Sequence, residues 1–293
     1  MKRYLHPLLG LMVGVLTLLI SCEKQESRLT SPQLVIEGYI SDQDFPVVMV
    51  TTSVAIQSEY SEPIDSLSSH LLRWARVAIN DGENEYVLTG KFDKSYLPPF
   101  IYTTTRFRGQ VGKSYTLTVD YGDYHAIAIT TIPSRPSVDS IWVRPVMGDS
   151  LCSIIVTFDD PSSEVNYYKA FIKRGMNGRQ WLPAYMGTLN DDVLKATANE
   201  LVINRSSLIT DTQDYVPYFS YNDTVSVRFS QIDQASYIFW NDFDEHTNFS
   251  RNPFLSVSTN LHGNIVGGLG CWYGCGSVTK YFILGDYRPR RSH

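Results

Sequence analysis

Short segments in which apolar and polar residues alternate are the feature of this chain that most limits its fold. In the segment Ser114–Asp120, Tyr115, Leu117 and Val119 fall on one side and the threonines on the other. A period of two places successive side chains on opposite faces of an extended strand, so one face is buried and the other meets solvent. The pattern therefore predicts antiparallel β-sheet.

The same alternation recurs along most of the chain. Leu34–Ile40 places Leu34, Ile36 and Ile40 on one face, and Asp81-Gly82 is a turn between two β-prone runs. The 19 tyrosines and 13 phenylalanines suit half-buried pleated surfaces. We predict further strands at 47–52, 77–80, 86–89, 125–130, 141–143, 151–158 and 167–174.

These strands predict a mainly all-β protein with two tandem β-sandwich-like domains. Ile132–Ser137 contains two prolines and two serines, which is typical of a linker. We therefore expect an N-terminal β-sandwich domain at 34–132 and a C-terminal β domain with one short helix at 138–293. Ser230-Gln-Ile-Asp233 matches a capping box and predicts the start of that helix, which ends in a solvated acidic run at 241–246.

The first residues predict a lipid anchor. A basic start precedes an apolar stretch that is too short to span a membrane, and Leu19-Ile20-Ser21-Cys22 has the form of a lipobox. We expect residues 1–21 to be a signal peptide, the Cys22 thiol to carry a thioether-linked lipid, and residues 22–33 to be a polar tether. An ordinary signal peptide followed by a chance cysteine is the alternative.

Charge and cysteines narrow the class of protein further. The formal net charge of −5 argues against a nucleic-acid partner. Cys152 shares a face with apolar residues and is predicted to be a core thiol. Cys271 and Cys275 are a candidate disulfide in an oxidising envelope, a pair of free thiols or, with His262, part of a zinc site.

No catalytic set is visible in the sequence. The chain lacks G-x-S-x-G, H-E-x-x-H and Walker motifs, so we expect no enzymatic activity, no cofactor and no bound metal. A pair of carboxylates brought together by the fold, as in glycoside hydrolases, is the enzymatic alternative.

Four Asp-Ser or Asp-Thr pairs, each followed by an apolar residue, resemble O-glycosylation sites of Bacteroidota envelope proteins. They make Ser66, Ser140, Ser150 and Thr224 candidate modification sites. Serine after aspartate is also a common turn residue, so the pattern has a purely structural alternative.

Four parts of the chain occur in an order that resembles a known family: 34–42; 75–82 followed by 86–88 and 112–119; 132–133 with 138–141; and Asn252-Pro-Phe254 with the glycine-rich run 264–270. The family is a Bacteroidota outer-membrane lipoprotein family of unknown function with a DUF4249-like domain. The resemblance implies a first domain like immunoglobulin or carboxypeptidase-regulatory modules, and genes that neighbour those of TonB-dependent receptors. It supplies no catalytic residues, and Cys271 and Cys275 depart from its C-terminal pattern.

The sequence and the resemblance together predict a lipoprotein of the outer membrane, facing the periplasm or exposed at the cell surface. We expect it to assist a TonB-dependent receptor in nutrient uptake, with a ligand that the sequence does not name. The alternative is a stand-alone surface lipoprotein that binds glycans or peptides.

Overall fold

Strands make up most of the fold. The computed structural model describes residues 32–53, 71–147, 150–160, 165–175, 178–209, 215–249 and 261–289, and in these the chain is mainly β, as predicted, with one α-helix. The elements are β1 (Leu34–Ser41), β2 (Val47–Thr52), β3 (Arg76–Asn80), β4 (Glu85–Val87), β5 (Thr89–Phe92), β6 (Phe100–Thr103), β7 (Ser114–Tyr121), β8 (Tyr124–Thr131), β9 (Ser137–Met147), β10 (Leu151–Asp159), β11 (Tyr167–Arg174), β12 (Leu182–Asn190), β13 (Asn199–Ile203), β14 (Phe219–Ser220), β15 (Thr224–Ile232), α1 (Gln234–Phe249) and β16 (Gly268–Ile283).

One large sheet runs through both halves of the chain. Its strand order is β12-β11-β15-β16-β1-β2-β6-β5. At its centre β1 pairs in parallel with β16, from Leu34 opposite Gly268 to Ser41 opposite Cys275, and antiparallel with β2. The first and last strands are thus neighbours, and the chain from Gln33 onward forms one compact unit.

The two faces of the large sheet have different coverings. Ile36, Trp272 and Phe229 point to what we call the core face, which is covered by two smaller sheets. Tyr39 and Tyr273 point to the opposite side, which we call the helix face because α1 packs on part of it. In the central strands of the large sheet, successive side chains therefore point alternately into two different buried environments, rather than into a core and into solvent.

The first half of the core face is covered by the sheet β4-β3-β7-β8. Tyr115, Leu117 and Val119 of β7 are buried there with Leu34 and Ile36 of β1, which confirms the predicted alternation. Between β3 and β4 the chain turns through Gly82, whose φ is +92°, so the predicted hairpin is also confirmed.

The second half of the core face packs against the sheet β13-β10-β14, in which β9 also pairs with β10. Cys152, Ile154, Val156 and Phe158 of β10 line this second core, as the sequence predicted. The architecture is sandwich-like in both halves.

The passage between the two predicted domains crosses the core face of the large sheet at β16. A Cβ on Gly274 would lie 2.7 Å from the Thr131 carbonyl oxygen, and one on Gly276 would lie 2.3 Å from the carbonyl oxygens of Pro133 and Ser134. Such a close approach of two backbones requires glycine. Trp272 belongs to the first core and Phe282 to the second, so one strand serves both.

Helix α1 begins three residues later than predicted. The Oδ1 of Asp233 accepts a hydrogen bond from the Ser236 N–H at 2.8 Å, which is the geometry of an N-cap. The predicted cap at Ser230 is wrong because Ser230 is still part of β15, where its hydroxyl shares a 2.9 Å hydrogen bond with that of Ser277. The sheet pairing outcompetes the local capping pattern.

A buried ion pair fastens α1 to the large sheet. Lys169 Nζ lies 2.9 Å from Asp244 Oδ2 and 2.8 Å from Thr188 Oγ1, and the Thr188 hydroxyl donates to the same carboxylate. Lys169 has no exposed area, and its burial lowers its pKa while Asp244 opposes the shift. The predicted solvated acidic run is therefore wrong at Asp244, which faces the sheet.

Candidate functional site

A polar cleft opens on the helix face where strands from the two halves of the chain meet. Its volume is about 530 Å³, within the usual range for small-molecule sites. We call it the seam cleft, and it is lined by Ser41, Asp42, Gln43, Asp44, Arg135, Trp181, Arg228, Ser277, Val278 and Thr279.

A second hollow of about 320 Å³ adjoins the seam cleft. The two share Asp44 and Trp181, so they meet at these side chains. The second hollow brings in Lys91, Asp93 and Lys173, with Arg179, Tyr39, Tyr96 and other residues around them.

Two cations lie against the indole of Trp181. The guanidinium carbon of Arg228 is 4.1 Å from a ring centroid of the indole, and Lys173 Nζ is 4.5 Å from it. Phe171 is opposite Arg228 in the pairing of β11 with β15, so Lys173, two residues further on, lies diagonally from Arg228 on the same face. The fold therefore places two like charges side by side under one buried ring.

Arg228 is almost fully buried, with 5% of its surface exposed. Its Nη2 donates to Asp44 Oδ2 at 3.0 Å, while the other oxygen of Asp44 accepts the Phe45 N–H at 2.8 Å. The Nε of Arg228 is buried and has no hydrogen-bond partner among the described residues. A buried charged donor without an acceptor is costly, which marks a position where an additional oxygen would be stabilised.

The rim of the seam cleft is held by Asp42, at the end of β1. Its carboxylate accepts hydrogen bonds from Arg135 Nε and, at 2.8 Å, from the Ser277 N–H. Its own N–H donates to the Cys275 carbonyl at 3.0 Å. The next residue, Gln43, has a φ of +62°, which is uncommon for a residue other than glycine. The rim is therefore a fixed structure rather than an open loop.

Charge accumulates at the two joined hollows. Five cationic side chains line them, against the three carboxylates of Asp42, Asp44 and Asp93. Asp93 is already paired with both Lys91 and Arg179. Lys173 has no carboxylate within ion-pair distance among the described residues. The hollows are thus locally positive in a protein whose net charge is −5.

The two C-terminal cysteines are a separate feature, beneath α1. Cys271 and Cys275 lie in the single strand β16 and are both free and buried, so the candidate disulfide is corrected. Four residues of strand span about 13 Å, whereas bridged cysteines have Cα atoms within about 7 Å. Burial raises the pKa of Cys275 to about 12 and that of Cys271 well above its usual value, so neither is a reactive thiol.

Glu37 of β1 is the unusual acid on the helix face. It lies between Cys271 of β16 and Met49 of β2 in the strand pairing. It has no hydrogen-bond or ion-pair partner among the described residues, and burial raises its pKa to about 7. Glu37 therefore holds its proton to an unusually high pH.

The other predicted site residues are scattered over the fold. Ser140 is exposed on β9, Ser150 is exposed just before β10, and Thr224 is half-buried at the start of β15. Cys22 and Ser66 lie outside the described residues. Glycosylation and lipidation at these positions stay predictions.

The seam cleft was not predicted from the sequence. The residues of the cleft come from segments that lie far apart in the chain, so no short sequence motif indicates it. One signal was present: Arg228 lies between Ser226 and Ser230 on the polar side of β15, in a strand that is buried along most of its length. Such a residue is rarely buried unless it is paired or functional.

The described residues lack two features that would bear on function. Across residues 32–289, with the gaps given above, no group of three or more His, Cys, Asp or Glu side chains is arranged to hold a metal ion. None of the helices in that part of the chain combines the length and the apolarity needed to cross a membrane.

Comparison with protein families gives one assignment. The model of a domain of unknown function, DUF4249, matches residues 20–281. The chain belongs to the DUF4249 family. This confirms the DUF4249-like domain that the sequence segments resemble. The match includes Cys22, every strand of the large sheet except the last two residues of β16, and the whole lining of the seam cleft.

Other comparisons add little to the DUF4249 assignment. No curated protein matches the chain. Among solved structures, domains A168–A170 of titin are similar at 10% sequence identity and a TM-score of 0.20, over 69% of this chain and 60% of the titin fragment. Agreement at that level carries no argument about function.

Proposed function

We propose that this protein is a lipid-anchored outer-membrane protein of a Bacteroidota cell, which assists a TonB-dependent receptor in nutrient uptake and holds a small ligand in the seam cleft. The observation that carries the proposal is the lipobox Leu19-Ile20-Ser21-Cys22 at the head of a DUF4249 match that includes Cys22. A lipid at Cys22 with further acyl chains anchors a protein far more firmly than one chain.

The short segment between the proposed anchor and the first strand would keep the fold close to a membrane. The first strand begins at Leu34, so residues 22–33 separate Cys22 from the sheet. An extended chain of that length reaches about 40 Å. The seam cleft would then be presented within reach of a membrane partner, and its position on a rigid sheet favours binding over catalysis.

The anchor is tested by metabolic labelling with a palmitate analogue in cells that express the full chain. We expect label on the wild type, none on Cys22→Ala, and undiminished label on Ser21→Ala, because the lipobox accepts alanine before the cysteine. Labelling of Cys22→Ala at the wild-type level, or no label on the wild type, would overturn the anchor.

The receptor role is tested by affinity purification from membranes solubilised in mild detergent. We expect a TonB-dependent β-barrel receptor to be recovered with the wild type, and less of it with Cys22→Ala, which loses its membrane placement. Recovery of the protein without any such receptor, after crosslinking in intact cells, would reject the role.

A stand-alone binding protein is the second candidate function. The observation that favours it is the seam cleft itself, since a preformed cleft on one chain can bind a ligand with no receptor present. Glycan and peptide arrays probed with the full chain test it, and saturable binding in a strain that lacks the receptor would favour it.

A further inference from the structure

We propose that the seam cleft binds a small ligand through an oxyanion group, a carboxylate, phosphate or sulfate, held between Arg228 and Lys173 where the two hollows meet at Trp181. This inference adds a ligand class to the proposed function. It rests on the proposed function only in taking the ligand to be a nutrient. Binding itself needs neither an anchor nor a receptor.

The first support is the unused donor of Arg228. A guanidinium can present two parallel N–H groups to one oxyanion, and Nε is part of that fork. Asp44 satisfies Nη2 with one oxygen only, and its other oxygen is taken by the Phe45 N–H. Asp44 therefore leaves the buried Nε without an acceptor, and no other described residue supplies one.

The second support is the arrangement of the two cations. Lys173 is the diagonal neighbour of Arg228 on the same sheet face, and both lie against the Trp181 indole. Burial and the nearby Arg228 both lower the pKa of Lys173, while Asp44 partly opposes them, so two like charges lie together in a partly buried setting. An anion placed beside them would relieve this repulsion.

The third support is that the local acids are already committed. Asp42 is bonded to Arg135 and Ser277, and Asp93 to Lys91 and Arg179. Asp44 is bonded to Arg228 and to the Phe45 N–H, so one positive charge is left over at the end lined by Lys173 and Arg228, and a second is left over where two cations share Asp93. A neutral ligand would not use this charge, and a cation would be repelled by it.

The test is calorimetric titration of the full chain, purified in detergent, with inorganic phosphate, sulfate and succinate as separate probes and glucose as a neutral control. We expect at least one oxyanion to bind saturably and glucose to give no signal. The probe that binds most tightly distinguishes phosphate, sulfate and carboxylate ligands. Affinity should fall as salt is raised, because the contact is between charges.

Three variants locate the site. Lys173→Gln should weaken binding at least tenfold, and Arg228→Lys should do the same because a lysine cannot supply the planar fork. Arg144→Gln removes one positive charge from β9, in a different sheet, and should leave binding unchanged. The Lys173 side chain is half-buried and makes no hydrogen bond to described residues, so its variant is expected to fold even if the Arg228 variant does not.

The proposal is overturned if none of the three oxyanions binds at 10 mM, a concentration we take as roughly the upper limit for a specific site. It is equally overturned if Lys173→Gln binds as tightly as the wild type, or if Arg144→Gln loses binding to the same degree. Oxyanion binding by a chain that carries no lipid and recruits no receptor would uphold this inference while rejecting the proposed function.

Discussion

Glu37 gives the sharpest test of the physical reasoning, because its carboxyl group lies at the middle of the large sheet without a charged or hydrogen-bonding partner among the described residues. Burial raises its pKa from 4.5 to about 7. The folded chain therefore holds a proton on Glu37 between these values, where the unfolded chain has lost it. Stability contributed by this group is present below pH 4.5 and is lost as the pH rises towards 7.

The size of the effect follows from the two pKa values. Each unit corresponds to about 1.4 kcal/mol, so ionising Glu37 in the folded state costs at most about 3.4 kcal/mol. Glu37 keeps a fraction of its surface in contact with solvent, which reduces the penalty through screening. We expect a net cost of about 2–3 kcal/mol above pH 7.

The perturbation is Glu37→Gln, which has the shape of the protonated acid and cannot ionise. Urea unfolding of the variant and the wild type at pH 4.5 and pH 8 measures the effect. At pH 4.5 the two should differ by only about 0.5 kcal/mol, because the wild-type side chain is protonated in the fold. At pH 8 the variant should be more stable by about 2–3 kcal/mol.

The matched control is Glu200→Gln, which removes a carboxylate that is half exposed on β13. Its stability should stay within about 0.5 kcal/mol of the wild type at both pH values. A Glu37→Gln variant that shows the same difference at pH 4.5 and pH 8, or that is less stable than the wild type at pH 8, would refute the reasoning.

Three further predictions concern the sheet and its coverings. Lys169→Met should destabilise the fold by about 3–5 kcal/mol in urea unfolding, because Asp244 is left buried and unpaired; a change below about 1 kcal/mol would contradict the ion-pair role. Gly276→Ala should lower the free energy of unfolding by about 1–3 kcal/mol or prevent folding, because its Cβ would lie 2.3 Å from two carbonyl oxygens. Gly285→Ala should lower it less, because its Cβ would lie 3.3 Å from a single carbonyl oxygen. Thiol reagents should modify Cys152 and the two cysteines of β16 only after unfolding, and reducing agents should leave Tm unchanged, so rapid labelling of the native chain would be inconsistent with free buried thiols.

The sequence predicted the structural features that depend on residues close together in the chain. Tyr115, Leu117 and Val119 alternate within seven residues, and the same periodicity decides which side of β7 is buried. The turn at Gly82 is equally local. These features were predicted correctly because no distant segment competes with them.

The helix start shows where local patterns fail. Ser230 and Asp233 are both residue types that suit an N-cap. Ser230 is held in β15 because it pairs with Ser277 of β16, almost fifty residues further along the chain, so the helix is capped by Asp233. The seam cleft depends on even more distant contacts, since Arg228 meets Asp44 across 184 positions. Periodicity carries no information about such pairings. The cations Lys169 and Arg228, each within a strand, were the sequence signals that the helix face holds polar chemistry.

The central place of β1 has a mechanical consequence. A force on the segment before Leu34 would pull β1 along its own axis, between β16 on one side and β2 on the other. The eight pairs with β16 would then be loaded together in shear, rather than opened one after another as by a force directed across the strands. The proposed anchor before Leu34 would therefore transmit a pull to a central strand, which is held by a neighbour on each side.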